Sequence, residues 1–230
     1  MLMNDVEILQ TIEKKDLAIK PFAQERLKGA SYDLSLGAEA LISNRDEKVL
    51  LGEGSAIGLN LDAGDFVLVL TKELVKLPLN IAGSIGMRST LARRGLILLH
   101  GMQIDPGFEG HLRFGMYNAS PRKITLDFED EICMIEFHKL SGNAEKPATR
   151  NDDLIQGRIP ESDRAFLRSM ETTSLSEVAQ NLRTLTQSVG DLSKNMIAFE
   201  KVQNGYVIPL LVGTFLAVLA AALAEIFTHH

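Results

Sequence analysis

The chain reads as a mainly β head of barrel or sandwich type, followed by a helical stalk and one apolar C-terminal helix. Three observations predict this. Residues 1–140 are filled with short, apolar, β-prone runs that Gly, Asn, Asp and Pro interrupt at close intervals. From Leu175 onward, apolar residues recur in alternating steps of three and four. From Val207 to Ala224, 18 consecutive residues carry no charge.

Taken in order, Val6, Leu9 and Ile12 have the spacing of one helix face. Strands are expected at Asp33–Leu36, Phe66–Leu70, Leu96–Leu99, Leu112–Tyr117, Ile124–Phe128 and Ile132–Phe137. The glycine-rich stretches Gly52–Gly58 and Gly83–Gly86 fit turns. Residues 143–174 are polar and broken by Pro147 and Pro160, which predicts a linker that turns helical near Arg164. In the stalk, 175–203, Leu175, Val178, Leu182, Leu185, Val189, Leu192, Met196 and Phe199 occupy the a and d places of a heptad pattern. A single amphipathic helix packed on the head is the competing reading. The stripe of two apolar positions in seven is narrow for that and suits a coiled-coil seam. Gly190 in its middle costs about 1 kcal/mol of helix propensity.

The tail, 206–227, is long enough for one bilayer core of roughly 30 Å at 1.5 Å per residue. Pro209 is tolerable at its first turn, and Tyr206 suits a membrane interface. Arg183, Lys194 and Lys201 precede the tail and no Lys or Arg follows, so the N-terminal part is expected in the cytoplasm, with the lipid bilayer as partner of the last helix.

Composition narrows the function classes. A net charge of −6 and a pI of about 5.4 oppose wholesale binding to nucleic acid, which calls for a basic footprint. The single cysteine, Cys133, sits in the apolar run Ile-Cys-Met-Ile and reads as a small buried hydrophobe rather than a disulfide or metal ligand. No HExxH, GxxxxGK[ST] or GxGxxG pattern occurs. The acidic start, Met1 to Lys15, is no signal peptide.

Several motifs in sequence order carry a more specific message. They are Ile19-Lys20-Pro21-Phe22, then Gly29 to Gly37 (GASYDLSLG), Thr71 to Pro78, Arg88-Ser89-Thr90-Leu91-Ala92-Arg93, Ile104 to Gly110 (IDPGFEG), Asp130 to Ile135 and Leu140-Ser141-Gly142. Together they resemble the dCTP deaminase/dUTPase family over residues 1–142. The resemblance implies a dUTPase-like distorted β-barrel or jelly-roll head that forms a homotrimer, with deoxynucleoside triphosphate sites between neighbouring subunits. It implies phosphate contacts from Arg88, Ser89 and Arg93, whose guanidinium forks and hydroxyl suit phosphate oxygens. Gln103, Asp105 and Phe108 would line the sugar and water side, with Mg²⁺ carried chiefly by the phosphates. Asp105 fits three roles: catalytic base in hydrolysis, sugar contact, or barrel architecture. Asp33 reads as a carboxylate tying down a turn.

The departures are as informative. The position where the family's deaminases carry the glutamate base holds Gly115, and losing such a base costs about 10²–10⁴ in rate. Gln103 replaces an arginine of the deaminases, and His100 and Gly101 fall where the base-recognising backbone is expected. Neither the Gly-rich lid of dUTPases nor the deaminase tail is recognisable in Pro147–Gly157. Three functions follow in order of preference. The first is a nucleotide-binding sensor or effector that does not deaminate. The second is a dUTP or dCTP diphosphatase using Asp105 and Mg²⁺. The third is a trimerisation scaffold for the membrane segment. Gly213, Ala217, Ala220, Ala221 and Ala222 would let three such tails pack closely.

Overall fold

The computed structural model describes residues 1–43, 48–52, 58–101, 103–169, 175–202 and 209–217. The chain divides into two compact units, Met1–Ser176 and Glu177–His230.

The first unit opens with helix α1 (Asp5–Glu13), started by a reciprocal cap in which Asn4 Oδ1 accepts from the Glu7 amide at 2.9 Å and Glu7 accepts from the Asn4 amide at 3.2 Å. Its buried face is rotated from the expected stripe. Ile8 is fully buried while Val6 is exposed, because the helix docks through Ile8 and Ile12 rather than through Val6.

The sheet then assembles from β1 (Ala18–Lys20), β2 (Leu27–Lys28), β3 (Ser31–Ile42), β4 (Val49–Leu50), β5 (Leu59–Leu61), β6 (Phe66–Lys76) and β7 (Ile81–Met87). After the short helix α2 (Ser89–Arg93) follow β8 (Leu96–Leu99), β9 (Glu109–Asn118), β10 (Ile124–Leu126) and β11 (Glu131–Lys139). The main sheet runs β7-β11-β3-β6-β9-β8, with β1 added to β6 and β2 and β4 added to β3; β5 and β10 form a separate pair. Its named pairings are antiparallel, joining strands far apart in sequence, as a closed β head requires.

Each expected strand is present, several of them longer than the apolar run that announced them. Strand β6 continues through Thr71–Lys76 with an irregularity against β3 and β9. There Glu73 turns inward, fully buried, and accepts from the Ser35 amide at 2.8 Å, the Ser35 hydroxyl at 2.6 Å and Arg26 at 2.6 Å. A buried carboxylate tolerates this position because all three partners are supplied.

One turn expectation is corrected. Gly83–Gly86 is strand rather than turn, paired with β11 along its length. The reason is close approach: a Cβ at Gly83 would lie 3.1 Å from Ile135 and 3.3 Å from Ile104. Asp33 lies in β3, where a strand was expected, and its carboxylate accepts a hydrogen bond at 2.8 Å from Arg88, the residue just before α2.

The segment read as a linker over 143–174 carries α3 (Asp152–Ile155) and α4 (Glu161–Ser169). Leu154, Ile159 and Leu167 are buried against Leu41 and Leu70 in a second, smaller core on the outer face of β3, β6 and β9. Sparse apolar residues at wide spacing hid this packing from a periodicity argument. Ion pairs Arg164–Glu39 and Arg113–Asp163 fasten α4 at two further points.

Helix α5 (Leu175–Val202) runs unbroken through Gly190 and makes up much of the second unit. Leu182, Leu185, Val189, Leu192 and Met196 are all more than half exposed on it and form an apolar stripe. Of the expected membrane span 206–227, only 209–217 lies among the described residues; it is helical and displays Leu210, Leu211, Val212, Phe215 and Leu216. Among the described residues no helix is long and apolar enough to cross a membrane. The turn expected at Gly52–Gly58 falls mostly outside them.

Candidate functional site

Strand β9 organises the site by simple alternation. Leu112, Phe114 and Met116 point into the core, which sends His111, Arg113, Gly115 and Tyr117 to the opposite face. On that face Leu68 of β6 and Leu99 of β8 flank Gly115 directly, and Phe66 is its diagonal neighbour. The Phe66 ring uses the space the glycine leaves. A Cβ at position 115 would stand 2.5 and 2.8 Å from two carbons of that ring. No carboxylate fits there while Phe66 keeps its place.

Two adjoining cavities open on this face, and His100 and Arg113 line both. The smaller, about 160 Å³, contains Gln103, Asp105 and Phe108. Ile104 positions them: it is buried and exchanges backbone hydrogen bonds with Gly83 at 2.8 and 2.9 Å, which pins the loop and turns its neighbours outward. Gln103 Nε2 donates to Asp105 Oδ1 at 2.9 Å, and both side chains face solvent. Gly107, with φ +80°, makes the turn that brings Phe108 back beneath them.

The larger cavity, about 370 Å³, lies between the sheet face and α4, with Phe66, Leu99, Gly115, Phe166 and Leu167 on its walls. Burial lowers the affinity of the His100 ring for a proton, and the Arg113 charge adds to this against a hydrogen bond with the Gly101 carbonyl, which favours protonation.

The other three sequence-predicted residues stand elsewhere. Leu91 is buried and anchors α2, leaving Ser89 and Arg93 exposed. Arg88, just before that helix, bridges two strands by pairing with Asp33 of β3 and Glu131 of β11. Arg88, Ser89 and Arg93 line neither cavity, so one chain does not bring the phosphate residues to Gln103, Asp105 and Phe108.

Sequence reasoning missed Phe66, Arg113 and Asp163. Arg113 lies in the run His111–Asn118 beside Gly115 but carries no assigned role there, and only the register of β6 against β9 and the docking of α4 bring the three together. Cys133 is fully buried, and desolvation pushes its thiol far above the ordinary range, which fits the inert role expected of it. Among the described residues no group of three or more His, Cys, Asp or Glu side chains is placed to hold a metal ion. One carboxylate and one amide, Asp105 and Gln103, suit a cation that arrives already bound to phosphate oxygens.

Comparison with known proteins agrees with this geometry on the family. The dCTP deaminase of Thermococcus kodakarensis is 35% identical over 138 residues, 60% of this chain and 86% of the relative. That of Pyrococcus abyssi is 36% identical over 151 residues, 66% of this chain and 92% of the relative. The dUMP-forming dCTP deaminase of Persephonella marina is 31% identical over 159 residues, covering 64% and 88% of the two chains. Among solved structures, the 2'-deoxycytidine 5'-triphosphate deaminase of Agrobacterium tumefaciens superposes with a TM-score of 0.49 at 20% identity, over 59% of this chain and 47% of that one. The family model described as dCTP deaminase-like matches residues 2–140, well over half of the sequence, and the chain belongs to that family.

Proposed function

We propose that this protein binds a deoxynucleoside triphosphate of the dCTP or dUTP type without deaminating it, and acts as a nucleotide sensor or effector. The observation that carries this reading is the bare Gly115 with the Phe66 ring packed over it. Hydrolytic deamination needs a group that takes a proton from water beside the base, and neither a glycine nor a phenyl ring does so. Polar residues suited to a sugar and its phosphates remain in the chain, Gln103 and Asp105 on the smaller cavity and Ser89 and Arg93 exposed elsewhere on the head.

The complete site joins two copies of the chain, Arg88, Ser89 and Arg93 of one meeting Gln103, Asp105 and Phe108 of the next, in a homotrimer. Their separation in the single chain supports this. Mg²⁺ enters with the phosphates. The exposed stripe of α5 continues the trimer as a parallel coiled coil, and the tail 206–227 ties it to a membrane with the head in the cytoplasm. The uncharged run Val207–Ala224 supports the last step.

A second reading rests on Asp105, which is exposed, oriented by Gln103 and lines the same cavity as His100, whose affinity for a proton burial lowers: a diphosphatase acting on the same nucleotides.

Calorimetric titration of the full chain with dCTP, dUTP and dTTP plus Mg²⁺, with chromatography of the products, separates the readings. Binding without turnover is the expected result. Release of diphosphate moves the second reading to first, and release of ammonia removes the central claim.

A further inference from the structure

Arg113 projects from the middle of β9 into the wall that both cavities share, a position from which its charge reaches either one. Its partner is Asp163, on the helix that closes the larger cavity. The pair is only partly shielded, with side-chain exposures of 36% and 27%, so its own contribution to docking α4 is small. Packing does that instead, through the buried Ile159 and Leu167, together with the more enclosed pair Arg164–Glu39.

Asp163 is thus a carboxylate placed on Arg113, a cation that lines both cavities, at a point where the fold does not require it. A phosphate oxygen forms the same charge-assisted contact with a guanidinium, and a phosphate carries more charge than a carboxylate. The exchange therefore favours the ligand, and it needs no other change in the sheet.

We infer that Arg113 is an anion-binding residue of this site, contacting a phosphate of the nucleotide, and that Asp163 occupies it in the unliganded chain as a built-in competitor. This rests on the nucleotide-binding reading above. Binding replaces the Arg113–Asp163 pair and frees Asp163, so α4 loses one of its fastenings each time the site fills. Leu167 and Arg164 hold the helix on the head throughout, which makes the response a loosening of α4 rather than its departure.

The sequence contains no tryptophan, so Phe166→Trp puts a single fluorophore on α4, in the wall of the larger cavity. Full chain in mild detergent is titrated with dCTP and dUTP plus Mg²⁺, by calorimetry for the parent and by fluorescence for the tryptophan version. Asp163→Asn removes the competitor and is expected to tighten binding by about 1.5-fold to fivefold, the range suited to a partly exposed pair. Arg113→Gln is expected to weaken binding on the order of tenfold, the loss of one charge-assisted hydrogen bond. The tryptophan signal changes on nucleotide addition, and that change disappears with Arg113→Gln. Asp163→Glu, which keeps the charge, returns affinity toward that of the parent and guards against a folding artefact, with thermal melts of each variant as the check.

Binding to the parent with affinity unmoved by Asp163→Asn and Arg113→Gln overturns the inference and leaves the proposed function standing. No binding in any variant overturns both. Binding seen only once Asp163 is replaced upholds the inference in its strongest form.

Discussion

At the scale of residues, the decisive contact is between a side chain and the absence of one. Gly115 sits between Leu68 and Leu99 in the sheet, and Phe66 leans over it from the diagonal position. Gly115→Ala is therefore expected to destabilise the head by about 1–2 kcal/mol, since the ring must swing out of its packing to admit even a methyl group. In a Phe66→Ala background the same substitution should cost much less. A double-mutant cycle by chemical denaturation measures the coupling, and equal costs in both backgrounds would show that the ring does not restrain position 115. Arg88 makes a related point. Its guanidinium already bridges Asp33 and Glu131, so Ser89 and Arg93 are the members of the expected phosphate set left facing solvent.

At the scale of elements, the strands were legible because their side chains alternate and their ends carry turn residues. Leu96–Leu99 is bounded as the apolar run suggested. Strand β7 was hidden by its glycines, which serve close packing against Ile104 and Ile135 and say nothing locally about extended backbone. Helix α4 was expected near Arg164, but its packing was hidden for the opposite reason. It is polar and short, and its buried Leu167 acquires meaning only beside Leu41 and Leu70, more than 90 residues earlier in sequence. The motifs located Gln103 and Asp105 but were silent on Arg113 and Asp163, whose roles depend on tertiary register.

The packing of α3 and α4 also sets where the head can be cut. A chain ending after Ser169 keeps Leu154, Ile159 and Leu167 and is expected to melt cooperatively. One ending after Gly142 uncovers the outer face of β3, β6 and β9 and should melt lower, since a buried leucine of this kind contributes about 2 kcal/mol or more. Equal melting temperatures by differential scanning calorimetry would demote the second core to a surface ornament.

At the scale of the whole molecule, the proposed division of the site between copies would make assembly a condition of nucleotide binding. In a trimer with sites between copies, a chain lacking Arg93 still supplies Asp105, and a chain lacking Asp105 still supplies Arg93. Arg93→Ala and Asp105→Ala chains should each fail to bind nucleotide alone. Co-expressed and mixed within one trimer, they should regain a fraction of the sites, because some interfaces then join two unaltered halves. Calorimetric stoichiometry of the purified mixture reads this out. No recovery in mixtures shown by mass spectrometry to be mixed would place the whole site within one chain. In the proposed trimer the exposed apolar stripe of α5 would favour such assembly, since three copies held by head and stalk would raise the effective concentration of each partner.

The Phe66–Gly115 contact also bears on the routes by which such a sequence can change. A glutamate introduced at 115 alone meets the ring, and a small residue introduced at 66 alone hollows the wall and supplies no base. Neither single step improves on the present chain, so selection has no gradient to climb toward a proton-accepting side chain. The two positions form a ratchet: from this configuration, a proton-accepting side chain at 115 is reached only when position 66 changes with it.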